Sequence, residues 1–165
     1  MHFKIVVILL LSLFCFCVTT QKNCETTECR NGWHTVPYEN GDSFSGNFLE
    51  NSKEGVGVYT YHNGDRFEGE YKSNLREGNG VYLYESGDRF VGYYHKGKRN
   101  GSGKYHFNDG LILEGEWVDD VLSGQVKIVN AKGSLVWEGD WSINTNQSLE
   151  SKTKLGEGVE IPDSE

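Results

Sequence analysis

Residues 64–71 read Gly-Asp-Arg-Phe-Glu-Gly-Glu-Tyr, residues 78–82 read Gly-Asn-Gly-Val-Tyr, and these two stretches decide the fold. In the first stretch, Phe67, Gly69 and Tyr71 alternate with charged side chains. Successive side chains of a β-strand point to opposite faces, so this spacing predicts a strand whose rings and glycine share one face. Glycine has no Cβ, and a neighbouring ring can therefore lie against its backbone. The second stretch alternates in the same way and predicts a partner strand.

The pattern recurs along the chain with a period of 23 residues. Glycines occupy positions 41, 64, 87, 110 and 133, and a second series occupies 46, 69, 92 and 115. A fixed period of this kind is typical of proteins built from stacked structural units. The predicted repeat core consists of Gly46, Phe48, Gly55, Gly57, Tyr59, Phe67, Gly69, Tyr71, Gly78, Gly80, Tyr82, Phe90, Gly92, Tyr94, Gly101, Gly103, Tyr105, Gly115 and Trp117.

Each repeat contains two connections of different kinds. Asn40-Gly41 and Asn63-Gly64 predict tight two-residue hairpin turns, because both residue types tolerate positive φ. Residues 72–77 are polar and predict a loop. We therefore predict an all-β fold, an elongated single-layer ribbon of consecutive antiparallel β-hairpins with about ten or eleven strands.

Residues 64–71 and 78–82 together resemble the MORN (membrane occupation and recognition nexus) repeat, in which alternating aromatic residues and glycine precede a Gly-x-Gly segment. The resemblance covers residues 32–141, which we assign as the repeat domain, and it departs at His34 and Val126, where the repeat has glycine. It implies a hairpin ribbon that acts as a scaffold, a dimerisation module or a protein-binding surface. Lipid binding has been proposed for some members of the family.

The N-terminal residues 1–20 are predicted to be a signal peptide. A weakly basic start leads into an apolar run of about fourteen residues, which is shorter than the roughly 20 that a membrane-spanning helix needs. An uncleaved anchor, or lipidation of Cys15 or Cys17, is the alternative. We expect an exported protein in the periplasm, the cell envelope or the extracellular space, or one lipid-anchored at the outer surface. This export signal and the cysteines that follow it resemble those of small bacterial cell-envelope MORN proteins. In a secreted eukaryotic protein, residues 100–102 and 146–148 would be glycosylation sequons.

Two flanking segments complete the predicted organisation. Residues 21–31 form an N-terminal cap in which Cys24 and Cys29 are expected to form a disulfide in an oxidising compartment. A metal site is disfavoured because His34 is the only imidazole nearby. Residues 142–165 are predicted to be a degenerate last hairpin and an acidic tail.

The charge of the chain disfavours two classes of partner. The net charge is −8, so the chain as a whole repels nucleic-acid phosphates and anionic lipid. The densest basic cluster is Lys96, Lys98 and Arg99, which we interpret as a solvated loop. We expect no nucleic-acid partner, and contact with a membrane only through a lipid anchor.

The sequence contains no constellation typical of an enzyme: the histidines are scattered, and no nucleophile elbow, P-loop or zinc-protease motif occurs. We expect no catalysis, no cofactor and no metal. The predicted function is that of a protein-binding or assembly scaffold with a protein or peptide partner, or self-association through its open edges. The alternatives are a membrane-surface or lipid-binding module and a structural spacer in the cell envelope.

Two sets of aromatic residues are candidates for partner binding. Tyr93 is the sharper candidate, because it replaces Glu70 and Glu116 in the slot on the predicted polar face. The second candidate is an aromatic strip, in which each single ring is more readily explained as core. The strip comprises Tyr59, Tyr61, Tyr82, Tyr84, Tyr93, Tyr94, Tyr105 and Phe107.

Overall fold

A computed structural model of the chain describes residues 29–141. These residues form one open sheet of ten strands, in which every strand pairs antiparallel with the next in chain order. The predicted all-β hairpin ribbon is therefore confirmed. The strands are β1 (Asn31–Pro37), β2 (Ser43–Leu49), β3 (Ser52–Thr60), β4 (Arg66–Lys72), β5 (Leu75–Leu83), β6 (Arg89–His95), β7 (Lys98–His106), β8 (Ile112–Val118), β9 (Val121–Val129) and β10 (Leu135–Trp141).

One face of the sheet, called the ring face below, carries aromatic rings laid over paired glycines. Gly69 of β4 faces Gly80 of β5, and the ring of Phe67 covers both. A Cβ added at Gly80 would lie 2.5 Å from Phe67 Cζ, and one added at Gly69 would lie 2.7 Å from it. No real Cβ approaches a ring so closely, so both positions require glycine. The ring of Phe67 lies against their bare backbone and is fully buried. Phe44 covers Gly46 and Gly57 in the same manner, as Phe90 covers Gly92 and Gly103.

The Asn-Gly turns differ from the prediction. Tyr61 donates its backbone N–H to the Asp65 carbonyl at 2.9 Å, and Gly64 donates to the Tyr61 carbonyl at 3.1 Å, which leaves three residues between the paired positions. Gly64 has a φ of 97°, whereas Asn63 is not among the residues with positive φ. The connection is thus a common three-residue hairpin loop. Residues 61–64 form its turn, and the last of them, Gly64, is left-handed. The predicted two-residue turn is wrong, because only its glycine adopts the left-handed conformation.

The tight two-residue turns lie at the other end of the strands, where the loop at 72–77 was predicted. β4 ends at Lys72 and β5 begins at Leu75, so only Ser73 and Asn74 connect them, with φ of 48° and 71°. Two consecutive positive φ values are those of a type I′ turn, whose twist matches that of the strands. Asn74 also donates its backbone N–H to the Lys53 carbonyl of the preceding unit at 3.1 Å. Every tight turn is therefore tied to the unit before it.

In each unit that has a glycine pair, a bulge separates the tight turn from that pair. Gly69 pairs with Gly80 and Tyr71 with Arg76, so the single residue Glu70 faces three residues of β5. Gly78 lies in this bulge with a φ of 77°, and the Glu70 carboxylate occupies the space beside it. The prediction that Gly78 shares the ring face with Gly80 is therefore wrong. Left-handed backbone explains this glycine and its counterparts, Gly55 and Gly101.

The fourth unit departs from the others in a correlated way. Leu113 stands where the earlier units have phenylalanine, and Val126 stands where they have the covered glycine. Both side chains are buried, at 0% and 1% exposure. Their combined volume fills the space that a ring over a bare backbone fills elsewhere. In β10 the glycine motif returns one residue late, and a register shift between Leu135 and Trp137 accommodates it.

Candidate binding surfaces

The rings nearest the Asn-Gly turns form a continuous row across the ring face. Consecutive ring centroids in this row are between 4.6 and 5.7 Å apart. Tyr82 and Tyr105 are almost completely buried, and the other rings are partly exposed. The partly exposed rings also pack against the buried core, so the row belongs to the packing of the sheet. Its members, the tyrosine row, are Tyr38, Tyr59, Tyr61, Tyr82, Tyr84, Tyr105 and Phe107.

A series of aspartates holds the tyrosine row in place. Tyr59 donates its hydroxyl hydrogen to Asp42 at 2.7 Å, and Tyr82 donates to Asp65 at 2.9 Å. Tyr105 donates to Asp88 at 2.9 Å. Each carboxylate also accepts a backbone N–H at 2.8 Å from the residue at the start of the next glycine turn, His62, Glu85 or Asn108. Sequence reasoning assigned these aspartates no role, although each precedes its tyrosine by the same interval of 17 residues.

The first of these aspartates makes the stability of the sheet sensitive to acid. Burial disfavours the charged form of Asp42, but hydrogen bonds from Tyr59, His62 and Asn40 outweigh burial and lower its pKa from 3.8 to about 2. A depressed pKa in the folded state means that the contribution to stability is complete above pH ~4 and is lost as the pH falls towards ~2.

We expect wild-type protein to lose about 1–2 kcal/mol more unfolding free energy between pH 4 and pH 2 than Asp42→Asn loses. Denaturant unfolding at a series of pH values measures the difference. If the two pH profiles run parallel across this range, the assigned role of Asp42 is wrong.

A second series, of cations, lies under the rings at the same period. Lys53 Nζ is 4.6 Å from the centroid of the Tyr59 ring, Arg76 Cζ is 5.2 Å from that of Tyr94, and Arg99 Cζ is 5.5 Å from that of Phe90. Burial lowers the pKa of Lys53, while the Asp42 charge opposes this effect. These distances are those of cation–π contacts.

Arg99 corrects the interpretation of the basic cluster as a solvated loop. Its side chain is 1% exposed, and its Nε donates to Asp120 Oδ1 at 3.2 Å. Lys98 is exposed, as expected. Because alternate residues of β7 face opposite sides, neighbouring basic residues have opposite environments.

Edge-to-face contacts between the remaining rings join neighbouring units. Phe67 meets Tyr94 at a centroid distance of 4.9 Å, and Phe90 meets Trp117 at the same distance. All four rings are at most 1% exposed. Tyr94 is consequently a buried ring, and the aromatic strip considered for binding is divided between the two faces of the sheet.

The opposite face, called the outer face below, offers the more accessible surface. Val91 and Tyr93 of β6 are 38% and 44% exposed on it. Next to Val91 lies an open depression of ≈480 Å³. It is lined by Val91, Ser102, Gly103, Lys104, Glu114, Gly115, Glu116 and Gln125.

Both signs of charge border this depression. Lys104 Nζ donates to Glu114 at 2.7 Å, and this hydrogen bond is the main reason why the pKa of Glu114 lies below its usual value. Ser102 donates its hydroxyl hydrogen to Glu116. An apolar floor with a mixed, hydrogen-bonding rim is suited to holding a polypeptide segment.

The first and last described strands, β1 and β10, leave their outer edges unpaired within the sheet. Trp33 of β1 is 57% exposed, and Leu135 and Val136 of β10 are 56% and 49% exposed. Unpaired edges with apolar side chains are surfaces on which another strand can add.

Several predicted features lie wholly or partly beyond residues 29–141. The signal peptide at 1–20, most of the cap at 21–31 and the segment 142–165 lie outside the described residues. Cys29 is buried and is not a free thiol, but Cys24 lies outside the described range, so their pairing stays a prediction.

The described residues contain neither a candidate metal-binding group nor a candidate membrane-spanning helix. Between residues 29 and 141, no three His, Cys, Asp or Glu side chains form a group that could hold a metal ion. The same part of the chain has no helix of the length and apolarity needed to cross a membrane.

Comparison with known proteins identifies the repeats. A solved structure of a mutant of the TCP10 domain of Danio rerio CPAP is 13% identical, with a TM-score of 0.31, covering 67% of this chain. This chain spans 63% of the length of that structure. No curated protein matches the sequence. The MORN repeat family matches at residues 44–66, 67–89, 90–112 and 114–125, and the first three matches each begin at the phenylalanine that covers a glycine pair. The chain therefore carries MORN repeats across residues 44–125.

Proposed function

We propose that this chain is an exported, non-catalytic scaffold that holds a protein partner on its outer face beside Tyr93. The observation that carries the proposal is the exposure of Tyr93, which is 44% accessible in a slot that holds Asn47, Glu70 and Glu116 in the other units. The exposed part of this aromatic side chain contributes nothing to the packing of the sheet. On the surface of a partner it would contribute rigid contact area.

Three properties of the surroundings support a protein as the partner. Val91 supplies an apolar neighbour, and the depression beside it has the mixed rim formed by Lys104, Glu114 and Glu116. The sheet behind them is held by buried rings, so little backbone order would have to be gained on binding. Most rings of the ring face take part in packing, whereas the outer face carries the exposed side chains of Val91 and Tyr93.

Replacing Tyr93 with glutamate tests the proposal without disturbing the fold, because Glu70 and Glu116 already occupy this slot. We expect Tyr93→Glu to retain the wild-type unfolding free energy and to lose at least about tenfold in partner affinity, as for an aromatic hot spot. Quantitative co-purification with wild-type chain as bait identifies the partner, and titration of the purified partner measures the loss.

The matched control is Asn47→Glu, which adds the same charge in the equivalent slot two units away. It should bind like wild type. The proposal fails if Tyr93→Glu retains every partner at wild-type affinity.

Export and the absence of catalysis belong to the same proposal. Export is supported by the apolar run in residues 1–20 and by the cysteines that follow it. A non-catalytic role is supported by the hydrogen-bonded carboxylates of Glu114 and Glu116, which line an open depression and not an enclosed cleft. N-terminal sequencing of the protein recovered from the expressing cells tests export. An intact Met1 in the mature protein would contradict cleavage.

A further inference from the structure

Five polar atoms of the ring face are buried without a hydrogen-bond partner among the described residues. Three of their side chains, Tyr94, Arg99 and Trp117, are at most 1% exposed. Arg76 and Tyr84 are only partly buried. Because guanidinium and indole nitrogens only donate, and a phenol hydroxyl also donates, the group calls for an acceptor. The atoms are Arg76 Nη1, Tyr84 OH, Tyr94 OH, Arg99 Nη1 and the Trp117 indole nitrogen.

These side chains are neighbours on consecutive strands. Tyr94 of β6 lies directly opposite Arg99 of β7, and the Arg76 guanidinium carbon is 5.2 Å from the centroid of the Tyr94 ring. Burial raises the pKa of Tyr84, and the positive charges of Arg99 and Arg76 act against this effect. Both arginines are therefore close enough to influence one phenol.

The charges of the cation series are not compensated equally. Arg99 forms an ion pair with Asp120. Lys53 has no ion pair within the described sheet but lies near the charge of Asp42. Asp65, one period later, is bonded to Tyr82, whose ring centroid is 5.9 Å from the Arg76 guanidinium carbon. Arg76 forms no ion pair with any residue of the described strands. The reason is visible in the turn: Gly97 donates its backbone N–H to the Arg76 carbonyl at 2.8 Å, as Asp120 does to that of Arg99 at 3.0 Å. Gly97 thus stands where the next unit has Asp120, and it has no carboxylate that could pair with Arg76.

A largely buried cation without a direct ion-pair partner is costly, and an incoming anion that pairs with it would lower that cost. Carboxylate suits the site because it accepts several hydrogen bonds while carrying a single negative charge. Phosphate carries more charge and would be opposed more strongly by a chain with a net charge of −8.

We propose that Arg76, with the hydroxyls of Tyr84 and Tyr94, forms a binding site for a carboxylate side chain of a partner peptide. This inference rests on the proposed function of the chain as a protein-binding scaffold and adds a second recognition element on the opposite face. The side chains of Arg76 and Tyr84 are partly exposed and form its outer part, and their unpaired atoms Nη1 and OH are themselves buried. Tyr94, Arg99 and Trp117 form its buried wall.

The test titrates full-length, ¹⁵N-labelled chain with a capped glycine pentapeptide that carries one central glutamate. The matched probe has glutamine in its place, and inorganic phosphate is a third arm. We expect the glutamate peptide to shift the Trp117 indole N–H signal and to bind at least about tenfold more tightly than the glutamine peptide. Equal binding of the two peptides, or an equal response to phosphate, would overturn the carboxylate site.

Two variants locate the site. Arg76→Gln removes the cation, and Gly97→Asp supplies an internal carboxylate in the position that Asp120 occupies. Both should weaken the glutamate peptide at least about tenfold. Arg66→Gln, the same change at an exposed arginine, should leave binding unchanged.

Gly97→Asp keeps the experiment decisive if Arg76→Gln fails to fold, because it removes no donor. Wild-type affinity in a folded Gly97→Asp variant would overturn the site. Tyr93→Glu should bind the peptide like wild type, so failure of this site and failure of the outer-face proposal are distinguishable.

Discussion

Replacing Gly80 with valine will destabilise the sheet by about 3 kcal/mol or more, although valine is the better strand former. The Cβ alone would lie 2.5 Å from Phe67 Cζ, and Phe67 is fully buried among other core rings. Steric conflict with the ring therefore outweighs the gain in strand propensity, which is at most about 1 kcal/mol. Denaturant unfolding of the wild-type and Gly80→Val proteins measures the difference.

The fourth unit supplies the control for this prediction. There valine and leucine, Val126 and Leu113, stand together in place of glycine and phenylalanine. We expect Phe67→Leu to recover at least about 1 kcal/mol in the Gly80→Val background, which a double-mutant cycle would show as coupling. Strictly additive effects would mean that the ring is not what excludes a side chain at Gly80.

Replacing Asp120 with glycine is expected to cost about 3 kcal/mol, because it leaves the buried guanidinium of Arg99 without its counter-charge. Asp120 Oδ1 accepts from the Arg99 backbone N–H at 2.9 Å and from Nε at 3.2 Å. Residue 120 has a φ of 73°, a conformation that glycine adopts without strain. The measured loss of unfolding free energy therefore reports the carboxylate and not the turn.

Removing the buried charge as well should restore most of that loss. Leu122 shows that an apolar side chain is accommodated at the position of Arg99 in the next unit, where it is 5% exposed. We expect the double variant Arg99→Leu, Asp120→Gly to be clearly more stable than Asp120→Gly alone. If the double variant is the less stable of the two, the cost lies elsewhere than in the unpaired guanidinium.

The architecture could be predicted from the sequence because it depends on two regularities, the alternation around Phe67 and the period of 23 residues. The turns could not be placed correctly from composition. Asn-Gly is the strongest signal for a two-residue turn, yet Gly64 alone adopts positive φ in the longer loop. The true two-residue turn uses Ser73 and Asn74, which carry no such signature. The type of this turn is set by the twist of the two paired strands. Twist arises from the pairing and cannot be read from the residues of the turn.

The buried charges were missed for a different reason. Lysine and arginine are almost always exposed. Because Arg99 lies beside Lys96 and Lys98 in the chain, the sequence predicts that it is exposed as well. The aspartates were detectable in principle. Asp88 and Tyr105 are replaced together by Leu111 and Ile128 one unit later, a joint loss that indicates contact within a single sequence. Tyr93 was placed on the accessible face from its slot in the repeat, and its exposure agrees with that placement.

The backbone bond from each tight turn to the preceding unit has a consequence for how such a chain changes in length. Asn74 is bonded to Lys53, Gly97 to Arg76 and Asp120 to Arg99. At these junctions, each unit donates a backbone N–H to a carbonyl of the unit before it and offers a carbonyl to the unit after it. A gene duplication that inserts one whole period would meet matching junctions on both sides. An insertion that is not a whole number of periods would have to be accommodated outside these junctions. The junctions therefore favour changes of length by whole repeats, and the described sheet is expected to fray on heating from β1 and β10 inward.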